Sequence, residues 1–289
     1  MAETPEVTTL FDPETSTATH VVADPATRRC AIIDPVLDFD PASGRTARIA
    51  ADRVIAHVAE AGLEVVWILE THAHADHLTA APYLRERLGG RIGIGAGITA
   101  VQKTFKAVFN LGDDAATDGA PFDHLFGDGE RIALGDLAIK VLHTPGHTPA
   151  CVSYLIGDAV FVGDTLFMPD QGTARCDFPG GDAATLYRSI GRILALPEAT
   201  RLYVCHDYGA DGARGIAWET TVGAERAANK HIRDGIEEAA FIAMRRARDA
   251  TLAMPRLILP SIQINIRAGA LPPAEDNGVS YLKLPLDAL

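Results

Sequence analysis

Apolar positions along the chain fall into two periods. Short, largely apolar runs stand at 20–23, 30–33, 65–69, 91–94, 152–156, 159–162 and 202–205, and Leu137, Ile139 and Val141 alternate with other residues. Runs of this length between turn residues predict strands. The continuous run Val65-Val66-Trp67-Ile68-Leu69 suits a strand buried on both faces. Asp24-Pro25-Ala26-Thr27 joins the first two runs as a hairpin. Elsewhere the period becomes helical. Ala51, Val54, Ile55 and Val58 share one face, with Gly62 as a stop. Leu186, Ile190, Ile193 and Leu194 share another, with Asp182 as N-cap and Pro197 beyond the end. A further helix is predicted through 83–88, and residues 108–130, rich in Asp and Gly, read as a loop.

Beyond residue 218 the pattern is helical as far as Pro255, then extended, with Ile262, Ile264 and Ile266 alternating. The helix carries an alanine stripe (Ala239, Ala243, Ala247) and a basic one (Arg245, Arg246, Arg248). So narrow an apolar face cannot form a core alone. Residues 218–289 are therefore expected to pack on a domain spanning 1–217 and to support a homodimer. Strands alternating with helices, with hairpins mixed in, predict an α/β sandwich of sheets flanked by helices.

Composition narrows the function. At 289 residues the chain suits one large domain or two ordinary ones. Acidic residues outnumber basic ones 38 to 26, a net charge of −12, which argues against nucleic acid as a partner. No apolar run approaches the roughly 20 residues of a membrane span. The start, Met1-Ala2-Glu3-Thr4-Pro5-Glu6, has no apolar segment to serve as a secretory signal, so a cytoplasmic location is expected. The four cysteines, Cys30, Cys151, Cys176 and Cys205, lack metal or disulfide spacing and read as buried free thiols.

The histidines carry the chemistry. His72-Ala73-His74-Ala75-Asp76-His77 follows the most apolar strand, placing three imidazoles and a carboxylate within six residues of a strand end. A solvated loop accounts for one or two such histidines, not for this density; a metal site accounts for all of them. After another strand comes His143-Thr144-Pro145-Gly146-His147, whose Pro-Gly turn aims His147 back toward the strand ends while His143 reads as structural. Asp164 follows the run 159–162, and His206 follows 202–205. Each of these is weak alone. Together, four strand ends each deliver a donor.

This set, H-x-H-x-D-H followed by His, Asp and His, resembles the metallo-β-lactamase superfamily over about residues 15–210. The resemblance implies an αββα sandwich with a metal cleft at one edge of the sheets. Gly172-Thr173-Ala174-Arg175-Cys176-Asp177-Phe178 and His206-Asp207-Tyr208 look like segments of persulfide dioxygenases of the ethylmalonic-encephalopathy type. The bacterial β-lactamase hydrolase-like branch is the most similar. That likeness implies one Fe(II) held by His72, His147 and Asp164, with His74, Asp76, His77, His206 and Tyr208 orienting ligands and water. Glutathione persulfide and O₂ would be the substrates. Arg175 either contacts substrate or pairs with Asp177. The alternative is a hydrolase of the glyoxalase II type with two Zn(II): His72, His74 and His147 on one metal, Asp76, His77 and His206 on the other, and Asp164 bridging. A non-enzymatic regulator finds no support in any DNA-reading motif.

Overall fold

A computed structural model describes residues 4–287. The first of two six-stranded sheets contains β1 (Glu6–Asp12), β2 (Thr17–Ala23), β3 (Arg29–Ile33), β4 (Glu64–Leu69), β5 (Arg91–Gly95) and β6 (His124–Phe126), side by side in chain order. β1 to β3 are antiparallel and β3 to β6 are parallel. The second contains β7 (Arg131–Leu134), β8 (Leu137–His143), β9 (Val152–Ile156), β10 (Ala159–Phe161), β11 (Arg201–Tyr203) and β12 (Glu219–Thr221), again in order. Here only β10 and β11 run parallel. The helices are α1 (Ile49–Glu60), α2 (Ala81–Leu88), α3 (Ile98–Val108), α4 (Ala183–Leu194), α5 (Val222–Ala228), α6 (Glu238–Asp249) and α7 (Ile258–Asn265).

Three apolar layers hold these elements together. Between the sheets, Ile33, Trp67, Leu69 and Phe126 meet Ile139, Val141, Tyr154 and Phe161. Outside the first sheet, Ile32, Ile68 and Ile92 pack beneath α1, α2, α3 and α7. Outside the second, Val160, Leu202 and Val204 pack beneath α4 and α6. β4 supplies residues to two layers, with Val65 and Ile68 on one face and Trp67 and Leu69 on the other. Its uninterrupted apolar sequence follows from that double burial. Each such side chain contributes about 1.5–3 kcal/mol by leaving water. The layering is the expected αββα sandwich.

The Asp182 cap is present, accepting from Thr185 N ahead of α4. Three expectations need correction. The segment read as a loop contains β6, which extends the first sheet beside β5. Ile262, Ile264 and Ile266 do not alternate along a strand; they lie on α7 and its C-cap. Gln263 and Asn265 between them, and Ser261 before them, are buried as well, so a helix enclosed on all sides mimics period two. Helix α6 ends at Asp249, before Pro255, and its packed face is Phe241, Arg245 and Asp249, an i, i+4, i+8 row. The alanine stripe faces solvent, and Arg245 is buried at 1% exposure, not part of a basic surface.

Candidate metal centre

The donors sit at strand ends on one edge of the sandwich. β4 runs into Thr71–His77, β8 into the turn before His147, β10 into Gly163-Asp164, and β11 into His206. Gly163 has φ +51°, and a Cβ there would fall 2.5 Å from Thr71 Oγ1, so only glycine allows the two sheets to close at this point. Gly146, at φ +140°, lies against Leu186 of α4, which fixes the turn that presents His147.

Seven sequence-predicted residues meet here. His72, His147 and Asp164 form one group, and His74, Asp76, His77 and His206 form a second; within each, the ligand atoms lie within 4.8 Å of one another. Asp164 stands between the groups, with Oδ2 3.7 Å from His147 Nε2 and Oδ1 3.4 Å from His206 Nε2. All but Asp76 are buried.

Each imidazole commits one nitrogen to the protein. His72 Nδ1 lies 3.0 Å from Thr71 Oγ1, whose own proton goes to Asp34 Oδ2, so His72 donates from Nδ1. His74 Nε2 donates to Asp34 Oδ1 at 2.9 Å, and His77 Nδ1 to Asp76 Oδ2 at 3.0 Å. His147 Nδ1 donates to the Arg175 carbonyl at 2.7 Å, and His206 Nδ1 to the Ser16 carbonyl at 3.2 Å. The opposite nitrogens of four of these rings, His72 Nε2, His74 Nδ1, His77 Nε2 and His206 Nε2, are buried without a hydrogen bond, as is Asp164 Oδ1. Bare nitrogens on anchored rings fit a bound cation, because a ligating histidine donates through its other nitrogen to a fixed acceptor.

The electrostatics agree. Burial and the neighbouring His74 and His147 hold His72 well below the usual histidine range, and burial lowers His77 too. Both rings are neutral donors at physiological pH. His74 resists the same burial because Asp34 raises it to about 10, and His206 is raised by Asp76 and Asp164. A cation seated here would displace those protons.

A cavity of about 440 Å³ opens onto Asp76, His147 and Asp164. Phe167, Phe178 and Tyr208 line it, and the Tyr208 ring stacks over His206 at 6.4 Å. Tyr208 is 52% exposed at the cavity mouth, and partial desolvation of its hydroxyl together with the nearby Asp164 and Asp76 pushes it up, so it stays a proton donor. Arg175 lines the cavity but is paired through Nε and Nη2 with Asp177 at 2.6 and 2.7 Å, and its Nη1 reaches the Ala253 carbonyl. Arg175 thus forms the expected ion pair while still lining the cavity, and its carbonyl holds His147. His143 donates to or accepts nothing in the cleft; its Nε2 bonds the Pro149 carbonyl. All four cysteines are buried free thiols.

Two supporting residues had not been singled out from sequence. Asp34 accepts from Thr71 N, Thr71 Oγ1 and His74 Nε2, and its signal was available: an Asp-Pro directly after an apolar strand. Asn265 of α7 had no local signal at all.

Comparison with known proteins agrees with this geometry. Residues 13–206 match the metallo-β-lactamase superfamily. The chain belongs to that superfamily. It is 57% identical over 289 residues to a probable metallo-hydrolase of Burkholderia pseudomallei, covering 96% of this chain and 98% of the relative. It is 31% identical to the mitochondrial persulfide dioxygenase ETHE1 of Mus musculus, over 91% of this chain and 89% of that one. The crystal structure of ETHE1 from Myxococcus xanthus superposes with a TM-score of 0.72 at 32% identity, covering 92% of this chain and all of the other. Fold and relatives indicate a metal-binding enzyme. Among the described residues no helix is long and apolar enough to cross a membrane.

Proposed function

We propose that this chain is a persulfide dioxygenase that oxidises glutathione persulfide with O₂ and water to glutathione and sulfite, using one Fe(II) per chain held by His72, His147 and Asp164. The observation that carries this reading is the partition of the donors. His72, His147 and Asp164 form one group, two histidines and a carboxylate, of which His147 and Asp164 border the open cavity; this is the set expected of a non-haem Fe(II) oxygenase. The ETHE1 relatives support the persulfide substrate. When bound, the iron supplies the redox chemistry and brings O₂ and the persulfide sulfur together.

The protein's own residues do the positioning. The Arg175 carbonyl and the Thr71 hydroxyl fix the ring planes of His147 and His72, leaving each Nε2 toward the cleft. Phe167 and Phe178 give the cavity apolar walls, which restrict water beside the reacting sulfur. Tyr208 offers a hydroxyl proton at the mouth, and His74, Asp76, His77 and His206 order the ligands and water around the first group.

A second reading, a two-zinc hydrolase, draws on the group His74, Asp76, His77 and His206 and on the relative described as a metallo-hydrolase. Metal analysis of anaerobically purified protein separates them. About one iron per chain with sulfite formation supports the dioxygenase; two zinc ions per chain with thioester cleavage supports the hydrolase. We also propose that residues 218–289 are an extension of the 1–217 domain and that the chain forms a homodimer through the exposed Leu271, Val279, Tyr281, Leu284 and Leu286. Light scattering tests the dimer, which a mass near the 30.7 kDa of a single chain would exclude.

A further inference from the structure

The side chain of Asn265 is the tightest link between the end of the chain and the metal loop. It is 3% exposed and bonded on both sides of its amide. Nδ2 donates to the carbonyls of His74 and His77, both at 2.8 Å, and Oδ1 accepts from Thr79 N at 3.0 Å. Three backbone groups of the segment 74–79 are thereby tied to one planar group contributed by a helix 186–191 residues away. Residues 72–77 form no strand or helix, and the carbonyls of His74 and His77 take their partner from Asn265. The anchor itself is fixed, since α7 packs Ile258 and Ile262 into the layer over the first sheet and its end is held by Gln102 Nε2 on the Ile266 carbonyl at 2.8 Å.

We propose that Asn265 is a positioning residue of the metal centre. It sets the separation of His74 and His77, and so decides whether His74 Nδ1 and His77 Nε2 converge on one cation. The donors of Asn265 reach neither His72 nor His147, so its influence falls on the group His74, Asp76, His77 and His206. α7 is in this sense part of the site, although it contributes no ligand.

The inference goes beyond the one-iron reading, because it concerns the second group, His74, Asp76, His77 and His206, and Co(II) titration of the metal-free full-length protein tests it by offering a cation to both groups. Binding is followed by the visible d–d bands, which report ligand geometry, and by competition with a chelator. Asn265→Ala is expected to weaken, by about 10- to 100-fold, the Co(II) step that His74→Ala abolishes, the usual size for loss of an outer support, and to change its bands. The step at His72, His147 and Asp164 keeps the parent affinity. Asn265→Asp is isosteric, still accepts from Thr79 N and loses both donors; it reads the same point should the alanine variant not fold. Ile258→Ala, which removes packing from α7 without touching the loop, is expected to lower the melting temperature and leave affinity and bands unchanged. Parent-like affinity and bands in the folded Asn265 variants, or an equal loss in Ile258→Ala, would overturn the inference. A parent protein that takes up only one Co(II), retained in His74→Ala, would overturn it as well, because the second group would then hold no cation.

Discussion

The cleft and the helical layer formed by α5, α6 and the loop at 172–177 both bury titratable side chains, and they treat polar atoms in opposite ways. In the helical layer the groups satisfy one another, apart from Glu225 Oε1. Arg245 pairs with Asp249 at 2.6 Å and donates to the Thr173 carbonyl, Asp249 accepts from Cys176 N, and Asn229 Nδ2 bridges Glu225 and the Gly172 carbonyl. His231 Nδ1 accepts from Thr173 N. In the cleft, four ring nitrogens and a carboxylate oxygen are left bare and face one another. Density of charged residues therefore does not distinguish a site from a scaffold; convergent unpartnered atoms do. The two regions still communicate, because the loop that α6 grips presents the Arg175 carbonyl to His147.

The strongest way to break the contrast is at Asp164, the carboxylate that stands between the two donor groups. Asp164→Ala is expected to bring metal content, measured by plasma mass spectrometry, to background while circular dichroism stays that of the parent. Metal at the parent level would remove Asp164 from the donor set. The corresponding cut in the helical layer should act on stability instead. Arg245→Met leaves Asp249 buried without its cation, which costs about 3–5 kcal/mol in urea unfolding. Replacing Asp249 by Leu as well should restore much of that loss, because the pair has little net value once both charges are gone. A single variant costing under about 1 kcal/mol would show that water or another cation reaches Asp249.

His74→Ala has a smaller and more discriminating effect. With one iron on His72, His147 and Asp164, the variant keeps its iron and turns over about 10- to 100-fold more slowly. With two zinc ions it loses a direct ligand, and metal per chain falls sharply. Complete loss of iron counts against the mononuclear site.

How far the sequence reveals these regions follows from the range of the interactions. The residues gathered in the cleft are legible because each follows an apolar strand of its own, and a sandwich brings strand ends to a shared edge. Asp34 obeys the same rule, but a single Asp-Pro reads as a turn. Asn265 could not be found in this way: its partners lie almost 190 residues earlier, and its buried neighbours Gln263 and Ser261 make α7 look like an alternating strand. The burial of Arg245 is hidden from sequence for a related reason. A charged residue on a helix predicts a wet face, and only the i+4 carboxylate of Asp249, together with the Thr173 carbonyl, makes its burial possible.

Glu225 sharpens the comparison most finely, because its Oε1 is the helical layer's own unpartnered atom. Burial raises its carboxyl from 4.5 to about 8, against the opposing hydrogen bond from Asn229, so the folded protein keeps this proton at neutral pH. The cleft does the reverse with Asp76, which His206 and His77 hold well below the usual carboxylate range despite burial. One region neutralises its odd carboxyl and the other keeps a charge available for a cation. The sign of the pH effect follows. The unfolded chain releases the Glu225 proton near pH 4.5 and the folded chain only near 8, so between those values the folded state binds more protons. Its contribution to stability is fully present below the lower value and declines as pH rises toward the upper one, by up to about 1.4 kcal/mol per pH unit. Glu225→Gln retains an acceptor for Asn229 and cannot ionise. Urea unfolding at pH 5, 6.5 and 8 should therefore show the variant gaining on the parent as pH rises, with no change in metal content. A parent-variant difference that stays constant with pH would mean that Glu225 is ionised in the fold, and that the helical layer holds a bare charge just as the cleft does.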